Sequence, residues 1–369
     1  PEATSELEIP KLTDDHPWVD PLDRQQKIVR GMQSHVQDIL QRCEIARDST
    51  FWKPLASSAD LVGTKSVFRD QLSHQLGSLD LPKLPFNTKA RILKETAAWT
   101  RYEVTIDVWP GVFSWGILVV PKNIDSHERR PVVVCQHGLE GLPMDMVTID
   151  TASAKYQTYQ GLATRLAERG YVTFSPHNPY RGEDKFRVLQ RLANPLGLSL
   201  FSIITSQHHQ MIEWLKSLSF VDAKRIGFYG LSYGGKTAMR VPALIEDYAL
   251  SICSGDFNEW VKKNASVDYA FSYMFHGEYE MPEWNLGHTF NYAEMAALIA
   301  PRPFMVERGH HDGVGIDEWV AYEYAKVKRH YQQLGIPDKC WIEYFNHGHR
   351  INAVGTIKVL DQYLMQKDN

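Results

Sequence analysis

From Arg101 onward the chain is a succession of short apolar runs separated by segments of helical period, whereas the residues before it carry only the helical period. In QQKIVRGMQSHVQDILQRCEIA, Ile28, Met32, Val36 and Ile39 or Leu40 recur at three- and four-residue steps, which places them on one face of a helix. Residues 1 to about 100 are therefore expected to form a helical N-terminal extension without strands. At RYEVTIDVW the period changes to two, with Val104, Ile106 and Val108 on one face, and GILVV (116–120) follows across a turn-rich link. These two runs predict antiparallel strands.

The remaining runs, PVVVCQ (131–136), YVTFS (171–175), RIGFY (225–229), ALSIC (249–253), RPFMVE (302–307) and CWIEYF (340–345), are continuously apolar rather than alternating. Helical segments lie between them: YQTYQGLATRLAERG closed by Gly170, LFSIITSQHHQMIEWLKSL, DEWVAYEYAKVKRHYQQLG, and a terminal helix from about Gly355. Continuous apolar strands alternating with helices imply a sheet buried on both faces. The expected class is α/β: a mostly parallel eight-stranded sheet with helices on both faces over residues 101–369.

A chain of 369 residues that is 43% hydrophobic and 23% charged can bury a large core. Its 40 basic and 44 acidic residues are intermixed, for a net charge of -4. That balance gives no electrostatic reason to expect nucleic acid or an anionic membrane as partner. No run approaches the roughly 20 apolar residues of a spanning helix. Cys43, Cys135, Cys253 and Cys340 are far apart and form no C-x-x-C pair, so neither a zinc knuckle nor a redox pair is expected.

RIGFYGLSYGGKTAM supplies the candidate chemistry. Gly230-Leu231-Ser232-Tyr233-Gly234 matches G-x-S-x-G between a predicted strand and a predicted helix, the context that gives the motif its mechanism. A strand-to-helix turn this tight crowds its flanks, which glycine relieves, and lifts the serine hydroxyl to a helix N-terminus where backbone amides favour a developing oxyanion. Serine alone is a weak nucleophile, so a base and an orienting acid should follow in the order serine, acid, histidine. The base candidate is His349, in the loop after CWIEYF, with His347 as the alternative. The acid candidate is Asp312, just past RPFMVE, because Glu307 is still within the strand; Asp256, after ALSIC, is the rival. For the oxyanion hole the expected amides are those of Tyr233, after the nucleophile, and Leu139, in the HGLEG turn (137–141) after PVVVCQ. His137 is read as a structural hydrogen-bonding residue.

QHGLEG, GLSYGG, RGHHD and HGHRI, in this order, resemble the α/β-hydrolase superfamily, and within it the dienelactone hydrolase and acetyl xylan esterase-like branch. The resemblance spans about Arg101 to the C-terminus and implies the α/β-hydrolase fold. It also implies cofactor-free hydrolysis of carboxylic esters, short-acyl or carbohydrate-linked, through an acyl-enzyme at Ser232 with Asp312 and His349. Serine stands where dienelactone hydrolases proper carry cysteine, which argues against dienelactone itself as substrate. The arginine that follows the nucleophile in glucuronoyl esterases is absent. The resemblance and the start at Pro1 without methionine favour a secreted or periplasmic address, and both monomer and oligomer stay open.

An aromatic-rich, cap-like insertion is expected at about 256–300, where Phe257 to Tyr292 holds ten aromatic residues in 36 positions. Tyr273, Phe275, Tyr279 and Trp284 either wall a substrate pocket or bury area in a satellite core or a dimer face. Arg181, in PHNPYRGEDKFR, either binds a substrate carboxylate or ties down its loop. Three readings compete with the esterase. The His310-His311-Asp312 and His347-x-His349 loops could serve a metal-dependent hydrolase, a serine peptidase would use the same triad, and a binding protein could keep the fold without catalysis.

Overall fold

The computed structural model describes residues 20–82, 84–182, 186–275 and 284–366. Among these, one nine-stranded sheet runs in the order β1 (Lys89–Glu95), β2 (Trp99–Trp109), β3 (Val112–Pro121), β5 (Val172–Pro176), β4 (Arg130–Gln136), β6 (Val221–Leu231), β7 (Leu250–Ser254), β8 (Phe304–Gly309) and β9 (Cys340–Phe345). The pairs from β1 through β3 to β5 are antiparallel, and every pair from β5 to β9 is parallel. The mostly parallel sheet expected from the pattern is present, with one strand more than the eight predicted.

The additional strand is β1, KARILKE, which lies inside the stretch expected to be wholly helical. It is exposed along its whole length and pairs only with β2. A strand with neither face buried carries no apolar alternation, and its lysines, arginine and glutamate discourage edge-to-edge association. The first 100 residues are thus helical only in part, and the sheet begins before Arg101.

In β4 successive residues serve opposite cores: Val132 and Val134 belong to one apolar cluster, Val133 and Cys135 to the other. This explains the uninterrupted apolar run, because each fully buried side chain of this size contributes about 1.5–3 kcal/mol whichever face it enters. One core is covered by α2 (Leu61–Leu76), α4 (Leu200–Ser217), α5 (Tyr233–Leu244), α7 (Tyr292–Ile299) and α8 (Asp317–Gln333), the other by α3 (Leu162–Glu168) and the C-terminal α9 (Val354–Leu360). Every residue of α7 is buried, so the end of the expected insertion is the crossover helix between β7 and β8.

The extension opens with α1 (Pro21–Arg47), capped by the Asp20 carboxylate, which accepts from the amides of Leu22 and Asp23 at 2.9 and 3.0 Å. It docks through its C-terminal end. Arg47 is buried, donates to the Gly287 carbonyl and pairs with Glu294 at 3.6 Å, while Gln37 donates to the Ala265 carbonyl at 2.5 Å. The extension therefore braces the region between β7 and α7, where α6 (Trp260–Ala265) lies. All four cysteines are buried and unpaired. No described helix is long and apolar enough to cross a membrane.

Candidate active site

β6 delivers Ser232 and α5 begins at Tyr233. Ser232 has φ 61° and ψ −121°, a positive-φ conformation that costs a non-glycine residue about 1–3 kcal/mol and persists only where its surroundings impose it. Those surroundings are visible. The Ser232 amide donates to the Ser254 carbonyl at the end of β7 at 2.8 Å. A Cβ on Gly230 would overlap the Gly234 carbonyl, and one on Gly234 would overlap the carbonyl of Gln136. Both glycines of the motif are demanded by close backbone approach.

The turn after β4 closes over the serine, since a Cβ built on Gly138 would lie 3.0 Å from the Ser232 Cβ. Within this turn the Gly138 amide donates to the Tyr159 hydroxyl, the Glu140 amide to the Tyr180 carbonyl and the Gly141 amide to the Gly138 carbonyl, each at 3.1 Å. The Leu139 amide has no acceptor among the described residues. The Tyr180 ring stacks on Tyr233 at 4.2 Å, and its hydroxyl bonds to the His137 carbonyl. Tyr159 and Tyr180 thus hold the turn against the nucleophile, and no local sequence pattern marked either one. His137 is fully buried, with Nδ1 2.9 Å from the Gly138 carbonyl. Burial pushes its pKa down to about 3, so the ring stays neutral, in keeping with a structural role.

Across the sheet, His349 Nδ1 lies 2.7 Å from Asp312 Oδ2. Asp312 is buried, and its other oxygen accepts from the Val314 amide at 2.9 Å. Gly255, at φ 61°, passes beneath the pair: a Cβ there would sit 3.1 Å from His349 Cε1 and 3.2 Å from Asp312 Oδ2. The segments that follow β6, β8 and β9 therefore bring Ser232, Asp312 and His349 to one edge of the sheet. Asp256 belongs to a different network. It is buried and accepts from the Tyr292 hydroxyl, and desolvation pushes its pKa up to about 6. The ring of His347, the alternative base, instead faces its own loop, with Nδ1 accepting from the Gly348 amide at 3.0 Å and Nε2 3.2 Å from Arg350 Nη1.

A carboxylate that reads in the sequence as merely a strand residue proves central to the architecture. Glu307 in β8 is buried and accepts five hydrogen bonds, from the hydroxyls of Tyr229 (2.9 Å), Ser254 (2.8 Å) and Thr356 (2.8 Å) and from the amides of Asn352 (3.1 Å) and Ala353 (2.9 Å). It ties the segment that follows His349 to β6 and β7. The signal that could have found it is an acid inside an otherwise apolar run.

The aromatic residues divide. Phe257, Trp260, Phe290 and Tyr292 are buried in the main core, whereas Phe275 and Trp284 are 73% and 89% exposed. Phe275 and Trp284 are therefore not packed down in the core. Tyr273 is partly buried beside Trp260, with Lys263 Nζ 4.1 Å from its ring centre. Tyr279 lies outside the described residues. Arg181 donates to the Glu140 carbonyl at 2.9 Å, which matches the loop-tying alternative. His310 pairs with Asp317, and His311 lies 2.8 Å from the Asn346 side chain; among the described residues no group of three or more His, Cys, Asp or Glu side chains is placed to hold a metal ion.

Residues 117–251 match the Dienelactone hydrolase family model. The protein YcjY of Escherichia coli (strain K12), itself uncharacterized, is 29% identical over 166 residues, 43% of this chain and 48% of that protein, so the chain spans about half the length of this curated relative. Among solved structures, a putative acetyl xylan esterase from Bacteroides fragilis superposes with a TM-score of 0.64 at 18% identity, covering 77% of this chain and 75% of that one. A glucuronoyl esterase from Caldicellulosiruptor kristjansonii gives 0.57 at 18% identity, over 84% and 87% of the two chains. The chain has the α/β-hydrolase fold, and its residues 117–251 are similar to the dienelactone hydrolase family.

Proposed function

We propose that this protein is a serine hydrolase of carboxylic esters that works through an acyl-enzyme on Ser232. The observation that carries the reading is the strained Ser232 elbow closed over by Gly138, at the same sheet edge as the buried Asp312–His349 pair. His349 Nε2 takes the Ser232 proton as the hydroxyl attacks the ester carbonyl, and later returns it to the departing alcohol. Asp312, which accepts at Nδ1, fixes the tautomer that leaves Nε2 basic and stabilises the imidazolium. The amides of Tyr233 and Leu139 receive the oxyanion, aided by the N-terminal dipole of α5. Water activated by His349 then releases the acid. Every step uses groups of this chain and calls for no cofactor.

The substrate side of the proposal is a short-acyl ester, and the resemblance in fold to acetyl xylan and glucuronoyl esterases favours a carbohydrate-linked one. The same resemblance supports a secreted or periplasmic address. Hydrolysis of p-nitrophenyl acetate and butyrate by wild type, His349→Ala and Asp312→Asn tests the reading. Turnover in the wild type that falls at least about 10³-fold in His349→Ala is expected, and retention of the wild-type rate in that variant would refute the assignment of the base.

A further inference from the structure

Trp284 is 89% exposed, an unusual position for an indole. It stands on the rim of a cleft of about 670 Å³ formed by the C-terminal end of α2, the segment leading into α4, and the chain before α7. His74, Gln75, Asn194, Ser199 and Asn285 line the cleft with it, and among its described lining residues there is no carboxylate, ammonium or guanidinium group. Its size lies within the range of small-ligand sites. The rim is held: Gln75 donates to the Trp284 carbonyl, Ser199 Oγ to the Leu76 carbonyl at 2.6 Å, and Gln190 to the Asn194 side-chain oxygen at 2.9 Å. With those bonds made, the Asn194 amide group, the Gln75 oxygen, the His74 ring and the Asn285 side chain supply donors and acceptors beside an open aromatic face.

That combination selects a ligand class. A pyranose presents a flat face of C–H bonds that an indole covers well, and a perimeter of hydroxyls that amides and imidazole can both donate to and accept from. An anionic sugar would leave its carboxylate without a cation among the described lining groups, and a hydrocarbon would strand the polar ones. One packed contact separates the helix that starts at the cleft from the residue after the nucleophile. Phe201, two residues beyond Ser199, stacks parallel to Tyr233 at 6.0 Å, and Tyr233 directly follows Ser232.

We infer that this cleft is a subsite for an uncharged sugar residue of an oligosaccharide or polysaccharide, with Trp284 as its stacking platform; as the chain segment remote from the scissile bond, it rests on the ester-hydrolase reading for its role but not for its binding. Isothermal titration of the full chain with xylohexaose, cellohexaose and hexagalacturonate tests it. The expected result is binding of at least one neutral hexasaccharide, weaker binding of the hexagalacturonate, and a loss of about tenfold in affinity in Trp284→Ala that Trp284→Phe largely restores. Unchanged melting temperatures verify that both variants fold. Absence of binding by both neutral hexasaccharides, tighter binding of the anionic one, or unchanged affinity in Trp284→Ala overturns the inference. Wild-type turnover of p-nitrophenyl acetate is measured beside it: turnover without sugar binding removes the subsite and keeps the hydrolase, whereas sugar binding without turnover keeps the subsite and removes the hydrolase.

Discussion

Replacing Glu307 by glutamine isolates what a buried acceptor does for a histidine it never touches. The carboxylate takes three donors on one oxygen, from Tyr229, Ser254 and Asn352, and two on the other, from Ala353 and Thr356. A glutamine in its better orientation keeps its oxygen toward the three and turns its NH₂ toward Ala353 and Thr356. The Thr356 hydroxyl can rotate to accept. The Ala353 amide cannot, and is left buried against another donor at a cost of about 1–3 kcal/mol. Ala353 also adopts φ 62°, so this hydrogen bond holds a strained residue in place. Loss of charge assistance in the bonds that remain raises the total to about 3 kcal/mol. Because residues 352–356 anchor the loop carrying His349, kcat for p-nitrophenyl acetate should fall about tenfold, well short of a triad substitution, with KM little changed. Denaturant unfolding and steady-state kinetics on one preparation measure both. A stability loss below about 1 kcal/mol together with an unchanged kcat would refute the reasoning.

Asp312→Asn should lower kcat by about 10⁴ and Asp256→Asn by less than tenfold; the reverse ranking in steady-state assays would mean that the acid comes from the end of β7. Asp256 also yields a pH signature. Its pKa is about 6 in the folded protein, above the ordinary value near 3.9, so it favours folding below pH 4 and that contribution is lost as pH rises through 6. Asp256→Asn should therefore gain about 3 kcal/mol on wild type between pH 4 and pH 7 in denaturant unfolding, and parallel pH profiles would show that the group is not buried as described. In Gly138→Ala the new methyl would press on Ser232 Cβ at 3.0 Å. A fall in kcat of about 10- to 100-fold with stability within about 1 kcal/mol is expected, and full activity would detach this turn from the oxyanion site.

What could be read from the sequence follows how local each signal is. The elbow was legible because its requirements, a strand, two glycines and a helix start, fall within a dozen consecutive residues. The pairing of His349 with Asp312 rather than Asp256 was only partly legible: chain order allowed both acids, and the choice depends on which strand end faces the imidazole. β1 escaped because KARILKE buries nothing and so leaves no period. Tyr159, Tyr180 and Glu307 act through contacts 21, 43 and 78 residues away in sequence; no local pattern announces the two tyrosines, and Glu307 shows only as an acid inside an apolar run. The aromatic insertion misled in a different way. Enrichment signalled burial for Phe257, Trp260, Phe290 and Tyr292, but composition cannot separate these from the exposed Phe275 and Trp284.

The central claim is that Ser232 is the nucleophile, and the direct test is the initial rate of p-nitrophenyl acetate hydrolysis by wild type and Ser232→Ala, each with and without EDTA. Turnover in the wild type should be indifferent to the chelator and fall at least about 10³-fold in the variant. Equal rates in the two proteins, or a wild-type rate abolished by EDTA, would contradict it.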